Sequence, residues 1–194
     1  VRSKREAASL PPTFSYAQAR AAGYTKHAIY RLRDTGRIEV LSRGLYRLKS
    51  DEVLDLDLLE IAHKAPQATL CLASALSRHV LTDEIPDRTE IALPRRTRPP
   101  SVLAPVRWHQ FERQTFEIGR TLVPLTAGVQ IGLYSPERSI VDAFRLRGVE
   151  GHELANEALK RWLRKRNQPA ALLRIAKHFP RAVTPIRKAL ELLL

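Results

Sequence analysis

Between Ser15 and Leu48 the chain reads SYAQARAAGYTKHAIYRLRDTGRIEVLSRGLYRL, and its caps and breakers admit few folds. Ser15 is a hydroxyl N-cap for a helix over Tyr16–Ala22, which Gly23 ends. Thr25 caps a second helix, Lys26–Asp34, ended by Gly36. Ile38 and Val40 alternate with polar neighbours, Ser42, Arg43 and Gly44 make a tight turn, and Leu45–Leu48 returns, so a two-stranded hairpin is predicted. Helix, turn, helix and hairpin follow the order of a winged helix-turn-helix. A short helix over Ser3–Ser9, stopped by Pro11 and Pro12, is expected ahead of it.

Charge explains what such a module would be for. The chain of 194 residues carries a formal net charge of +13. A balance of that size asks for a polyanionic partner, nucleic acid first, although an acidic protein surface would ask for the same sign. The charge is not even. Residues 1–50 hold 11 Lys/Arg against 3 Asp/Glu, residues 51–93 hold 3 against 9, and residues 160–188 hold 10 against none. The first change of sign sets the expected boundary: a winged helix over 1–50 and a second, α+β domain over 51–194.

On the second helix Lys26, His27, Tyr30 and Arg31 lie opposite Ile29 and Leu32 at 3.6-residue spacing, with Arg33 at the margin. A helix entering a major groove needs that division: cationic and polar groups outward, apolar groups holding it to the domain. Arg37 stands at the hairpin base and Arg43 at its tip, where the sugar–phosphate backbone would run. Free N–H groups at Ser15, which opens the first helix, suit a phosphate. The expected DNA-binding set is therefore Ser15, Lys26, His27, Tyr30, Arg31, Arg33, Arg37 and Arg43. The plainer reading of the same pattern is an amphipathic helix pair with a solvated basic face.

Beyond residue 50, Val53–Ile61 has helical apolar spacing with an acidic side formed by Asp51, Glu52, Asp55 and Glu60. ATLCL at 68–72 is a buried strand, with Cys71, the single cysteine, as a small hydrophobe. A helix follows. TEIALP, VRWHQF, FEIGRTLVPL and GVQIGLYS are four more strands, rich in β-branched and aromatic residues. PRRTRPP at 94–100 is an exposed loop. Ser135-Pro136-Glu137 opens a helix with a cap, a proline at the first position and an early acid. Leu154–Leu163 and Leu172–Ile175 give two more apolar stripes. Thr184-Pro185 is expected to open the last helix, so the domain ends as a helical bundle.

Little in this half reads as chemistry. The histidines are scattered, and neither a Walker A nor a G-x-S-x-G string occurs, so no cofactor, metal or catalytic residue is assigned. Asp83, Glu84, Asp87 and Glu90 loosely resemble a nuclease carboxylate set. Glu137 and Asp142 read as cap and surface residues. Lys160, Arg161, Arg164 and Lys165 stand away from the Leu159–Trp162–Leu163 stripe as a candidate surface for a protein partner or nucleic acid. One cysteine, no membrane-length apolar run and no apolar segment after VRSKREAASLPP make a reducing, cytoplasmic setting the expectation.

The strings AQARAAG, RLRDTGRIE and RGLYRL resemble the N-terminal domain of AbiEi-type antitoxins of type IV toxin–antitoxin systems. ATLCLASALSRHVLTDEIP, YSPERSIVDAF and EALKRWLRK look like that family's second domain. The resemblance implies binding of double-stranded DNA at inverted repeats in the chain's own promoter, as suits a dimer on DNA. It also implies a second domain that counters a nucleotidyltransferase-type toxin, directly or functionally, with no enzymatic activity of its own. Two alternatives stay open: a nuclease delivered to DNA by a winged helix, and a stand-alone regulator whose second domain dimerises or binds a small ligand.

Overall fold

The computed structural model describes residues 10–49, 55–146, 148 and 152–194. The helix expected over Ser3–Ser9, and Asp51 and Glu52, lie outside these. The chain is α+β and divides into two compact units. The N-terminal one gathers the described residues through Pro66 with 101–104 and 124–130; the other takes the rest.

The N-terminal unit opens on β1 (Thr13–Ser15), α1 (Tyr16–Ala21), α2 (Lys26–Asp34) and the hairpin β2 (Ile38–Ser42) and β3 (Leu45–Leu48), then continues into α3 (Leu56–Lys64). Both predicted N-caps form: Ser15 Oγ accepts from Gln18 N–H at 3.1 Å and Thr25 Oγ1 from Ala28 N–H at 3.1 Å. The sheet has a strand the hairpin reading lacks. β1 pairs antiparallel with β3, Phe14 opposite Tyr46, giving the order β1-β3-β2. That three-stranded antiparallel sheet beside two short helices is winged-helix-like. Phe14, Ala19, Ile29, Ile38 and Tyr46 form its buried core, with Phe14 and Tyr46 stacked at 5.8 Å.

α3 corrects one expectation. Glu60 is not on an acidic exposed side; it is 2% exposed. Its carboxylate accepts from Lys64 Nζ at 2.7 Å and from the N–H groups of Leu103 and Ala104 at 2.8 and 3.2 Å. A buried carboxylate needs such donors, and here a distant loop supplies them.

Apart from residues 124–130, the C-terminal unit carries a five-stranded sheet, β4 (Thr69–Leu70), β5 (Thr89–Pro94), β6 (Val106–Phe111), β7 (Arg120–Thr126) and β8 (Val129–Tyr134), in the order β6-β5-β4-β8-β7. β4 runs antiparallel to β5 and parallel to β8, and β5 is parallel to β6. Its helices are α4 (Leu72–Arg78), α5 (Arg113–Phe116), α6 (Pro136–Arg145), α7 (His152–Arg164), α8 (Pro169–Ala176) and α9 (Pro180–Leu193). Leu76, Ile140, Val141, Phe144, Leu159, Trp162, Leu172 and Ile186 belong to one apolar cluster that joins α4 to the last four helices. Cys71 is buried among Ala92, Phe111, Phe116 and Tyr134.

Two boundaries and one burial differ from expectation. The strand expected from Phe116 begins at Arg120, because Phe116 ends α5 and turns its ring to Tyr134. The last helix starts at Pro180, not Thr184, and holds Pro185 inside it. Pro180 fits the first helical turn, and burial of Ala182, Ile186 and Leu190 offsets the hydrogen bond lost at Pro185. Asp142 is not a surface residue. It is fully buried on α6 and accepts from Arg138 Nε at 2.9 Å and Arg145 Nη2 at 2.8 Å. Residues 138–144 of α6 are all buried, so its polar stripe is interior as well as its apolar one.

Candidate nucleic-acid interface

The site begins with what holds α2. Ile29 is fully buried against the sheet core and Leu32 is half-buried, which turns the opposite face outward. Of the remaining side chains Lys26, His27, Arg31 and Arg33 are exposed and Tyr30 is half-buried. Tyr30 organises its neighbours: Lys26 Nζ stands 5.6 Å and Arg33 Cζ 4.9 Å from its ring centroid. Cation–π contacts of this kind restrain long side chains that would otherwise lose rotamer freedom on binding. Arg33 also holds Asp34, which raises the guanidinium pKa, so part of its charge is already answered.

The hairpin supplies the other two cations. Arg37 is exposed at its base, where Arg37 N–H donates to Leu32 O and Lys49 N–H to Arg37 O. Arg37 and Arg31 share one concavity of about 410 Å³, lined also by Tyr24, Ala28, Leu32 and Thr35. Arg43 is exposed at the tip, next to Gly44 with φ of 76°. Strand rise puts Arg37 and Arg43 roughly 20 Å apart along the hairpin. Ser42, expected in the tip, is buried and pairs with Leu45, so the turn is Arg43-Gly44.

Ser15 differs most from its expectation. Its N–H donates to Gln18 Oε1 at 2.7 Å in a full capping box, and Tyr16 N–H donates to Gly44 O at 2.8 Å. The N–H groups of Ser15, Tyr16 and Gln18 are thus engaged within the protein. Two further arginines have partners within the protein: Arg47 is buried and pairs with Glu39 at 2.8 Å, and Arg20, which is exposed, donates from Nη1 to Tyr24 O at 2.9 Å. The place of Arg47 opposite Thr13 of β1 depends on tertiary pairing.

In the C-terminal unit the basic helix is half engaged. Arg161 pairs with Asp83 and Glu157, and Lys165 Nζ donates to the carbonyls of His79 and Val80 at 2.9 and 3.2 Å. Lys160 and Arg164 are exposed. The carboxylates of the nuclease alternative are dispersed. Glu90 is buried between His109 and Arg107, while exposed Asp83 has its pKa lowered by Arg161. Among the described residues no three His, Cys, Asp or Glu side chains converge as metal ligands. No helix among them is long and apolar enough to cross a membrane.

Comparison with known proteins bears on both units. No curated protein matches the chain. The crystal structure of RV2827C protein from Mycobacterium tuberculosis is similar in fold, with a TM-score of 0.55 at 18% identity over 93% of this chain and 76% of that one. Residues 2–49, which hold α1, α2 and the hairpin, match the family described as transcriptional regulator, AbiEi antitoxin. The winged-helix-like segment of this chain is therefore similar to that of the AbiEi antitoxin transcriptional regulators.

Proposed function

We propose that the chain is a DNA-binding repressor of its own promoter and the antitoxin of a type IV system, countering a nucleotidyltransferase-type toxin without catalysis of its own. One observation carries the DNA-binding half. Lys26, His27, Arg31 and Arg33 of α2 are exposed while its Ile29 is buried, and Arg31 shares a concavity with Arg37 of the hairpin. In this reading α2 enters the major groove, where Lys26, His27, Tyr30 and Arg31 meet base edges. Arg33, Arg37 and Arg43 sit at phosphates. Inverted repeats would be met by two copies of the chain. Lys160 and Arg164 are the exposed cations through which the C-terminal unit would meet the toxin's acidic surface or further DNA.

Binding to a labelled promoter duplex at several salt concentrations tests this. Each neutralised phosphate contributes about 0.9 to the log–log salt slope, so Arg43→Ala should lower that slope by about 0.9 and weaken all sequences alike. Arg31→Ala should cost about 1–3 kcal/mol on the cognate site and less on random duplex. Wild-type affinity and slope in both variants would refute the assignment. The toxin half is tested by growth rescue on co-expression with a neighbouring nucleotidyltransferase-like reading frame.

A further inference from the structure

The C-terminal unit contains a cleft of about 550 Å³ on the side where the end of β5, the start of α5, the end of α6 and the start of α9 meet. Arg95, Glu112, Gln114, Arg145, His178 and Arg181 supply its polar lining, and Leu146, Phe179 and Pro180 its apolar part. Its size is that of a small-ligand site.

Its charge is unbalanced from behind and in front. Behind the wall, Asp142 is a single carboxylate serving two guanidiniums, Arg138 and Arg145, so this buried group keeps one net positive charge. Arg138 is fully enclosed, and its Nη1 is taken by the carbonyls of Thr115 and Ile118. Arg145 is the member that reaches the cleft, with its side chain 19% exposed. In front lies the first turn of α9. Its N-cap Phe179 offers no side-chain acceptor, the turn contains no acid, and its second residue is Arg181. Helix starts favour negative groups, and here a guanidinium adds to the positive end of the dipole. At the rim Glu112 answers Arg95 alone.

The aromatic wall limits what the ligand is. Phe179 lies against Arg138 at 4.3 Å and Arg145 at 5.4 Å from its ring centroid, so cations already occupy its ring. Phe179 is thus not a free platform for a base, whereas Arg145 and Arg181 suit a compact polyanion.

We propose that this cleft binds a phosphate-bearing small molecule through Arg145, Arg181 and the start of α9, with Arg95 exchanging Glu112 for the ligand. Recognition is of the anionic group, not of any base attached to it.

Calorimetric titration of the full chain with inorganic pyrophosphate at constant ionic strength tests this. Saturable binding at one site is expected in the wild type, at least tenfold weaker in Arg181→Glu. Because Arg181 is exposed, the variant should keep the wild-type melting temperature. Lys188→Glu makes the same charge change farther along α9 and should stay within twofold of wild type. Adenosine monophosphate should bind and adenosine should not. Absence of saturable pyrophosphate binding, equal loss in both variants, or adenosine binding as tightly as its phosphate would overturn the proposal. So would a cleft that takes only duplex DNA, seen as an Arg181→Glu effect on DNA without pyrophosphate binding.

Discussion

Glu60 and Asp142 show how a charged residue can be structural without announcing it. Burial raises the Glu60 pKa, but the Lys64 ammonium and the N–H groups of Leu103 and Ala104 outweigh it, leaving the folded value below the ordinary range. A lowered acid pKa means stabilisation that is present above the unfolded value of about 4.3 and lost as pH falls through the folded one. Denaturant midpoints measured from about pH 6 to pH 3 should therefore fall more steeply in wild type than in Glu60→Gln, and parallel curves would contradict the site. At Asp142, burial pushes the carboxyl up while Arg138 and Arg145 pull it down. Neutralising it leaves two interior guanidiniums without a counterion. Asp142→Asn should cost about 3–5 kcal/mol in urea unfolding. Neither role was legible: the helical period assigns faces, but not whether a second face is covered.

At the scale of elements, local chemistry read well wherever it acts within one turn. The caps Ser15, Thr25 and Ser135, the ends of α2 and the strands β5 and β6 stand where their residues predict. Thr25→Ala, which removes the acceptor for Ala28 N–H, should destabilise by about 1 kcal/mol and weaken DNA binding only through that loss. Thermal melting beside DNA titration separates the two effects. β1 was missed because three residues carry no readable period; Phe14 becomes a strand residue only opposite Tyr46. Gly132 on β8 is a similar case. A Cβ there would stand 2.3 Å from Thr69 Oγ1 and 2.8 Å from Arg120 Nε, which are bonded to each other. Gly132→Ala should cost about 1–3 kcal/mol by overpacking, measured by urea unfolding, with promoter affinity unchanged.

At the scale of the molecule, the compact N-terminal unit runs past the change of charge sign at residue 50 and takes in residues 101–104. A fragment ending at Pro66 keeps α1, α2 and the hairpin but loses both backbone donors to Glu60. Its α3 should melt, so circular dichroism should find no more helix in fragment 1–66 than in fragment 1–49. The sequence alone determined the helix–turn–helix–hairpin order, the outward cations of α2 and the basic balance, because caps, glycines and 3.6-residue spacing act between near neighbours. The tertiary structure decided the rest: the β1-β3-β2 and β6-β5-β4-β8-β7 orders, the engagement of Arg161, and the burial of Arg47, Glu60 and Asp142. Those depend on partners tens of residues away, and a charge is free or enclosed according to what the rest of the chain lays over it.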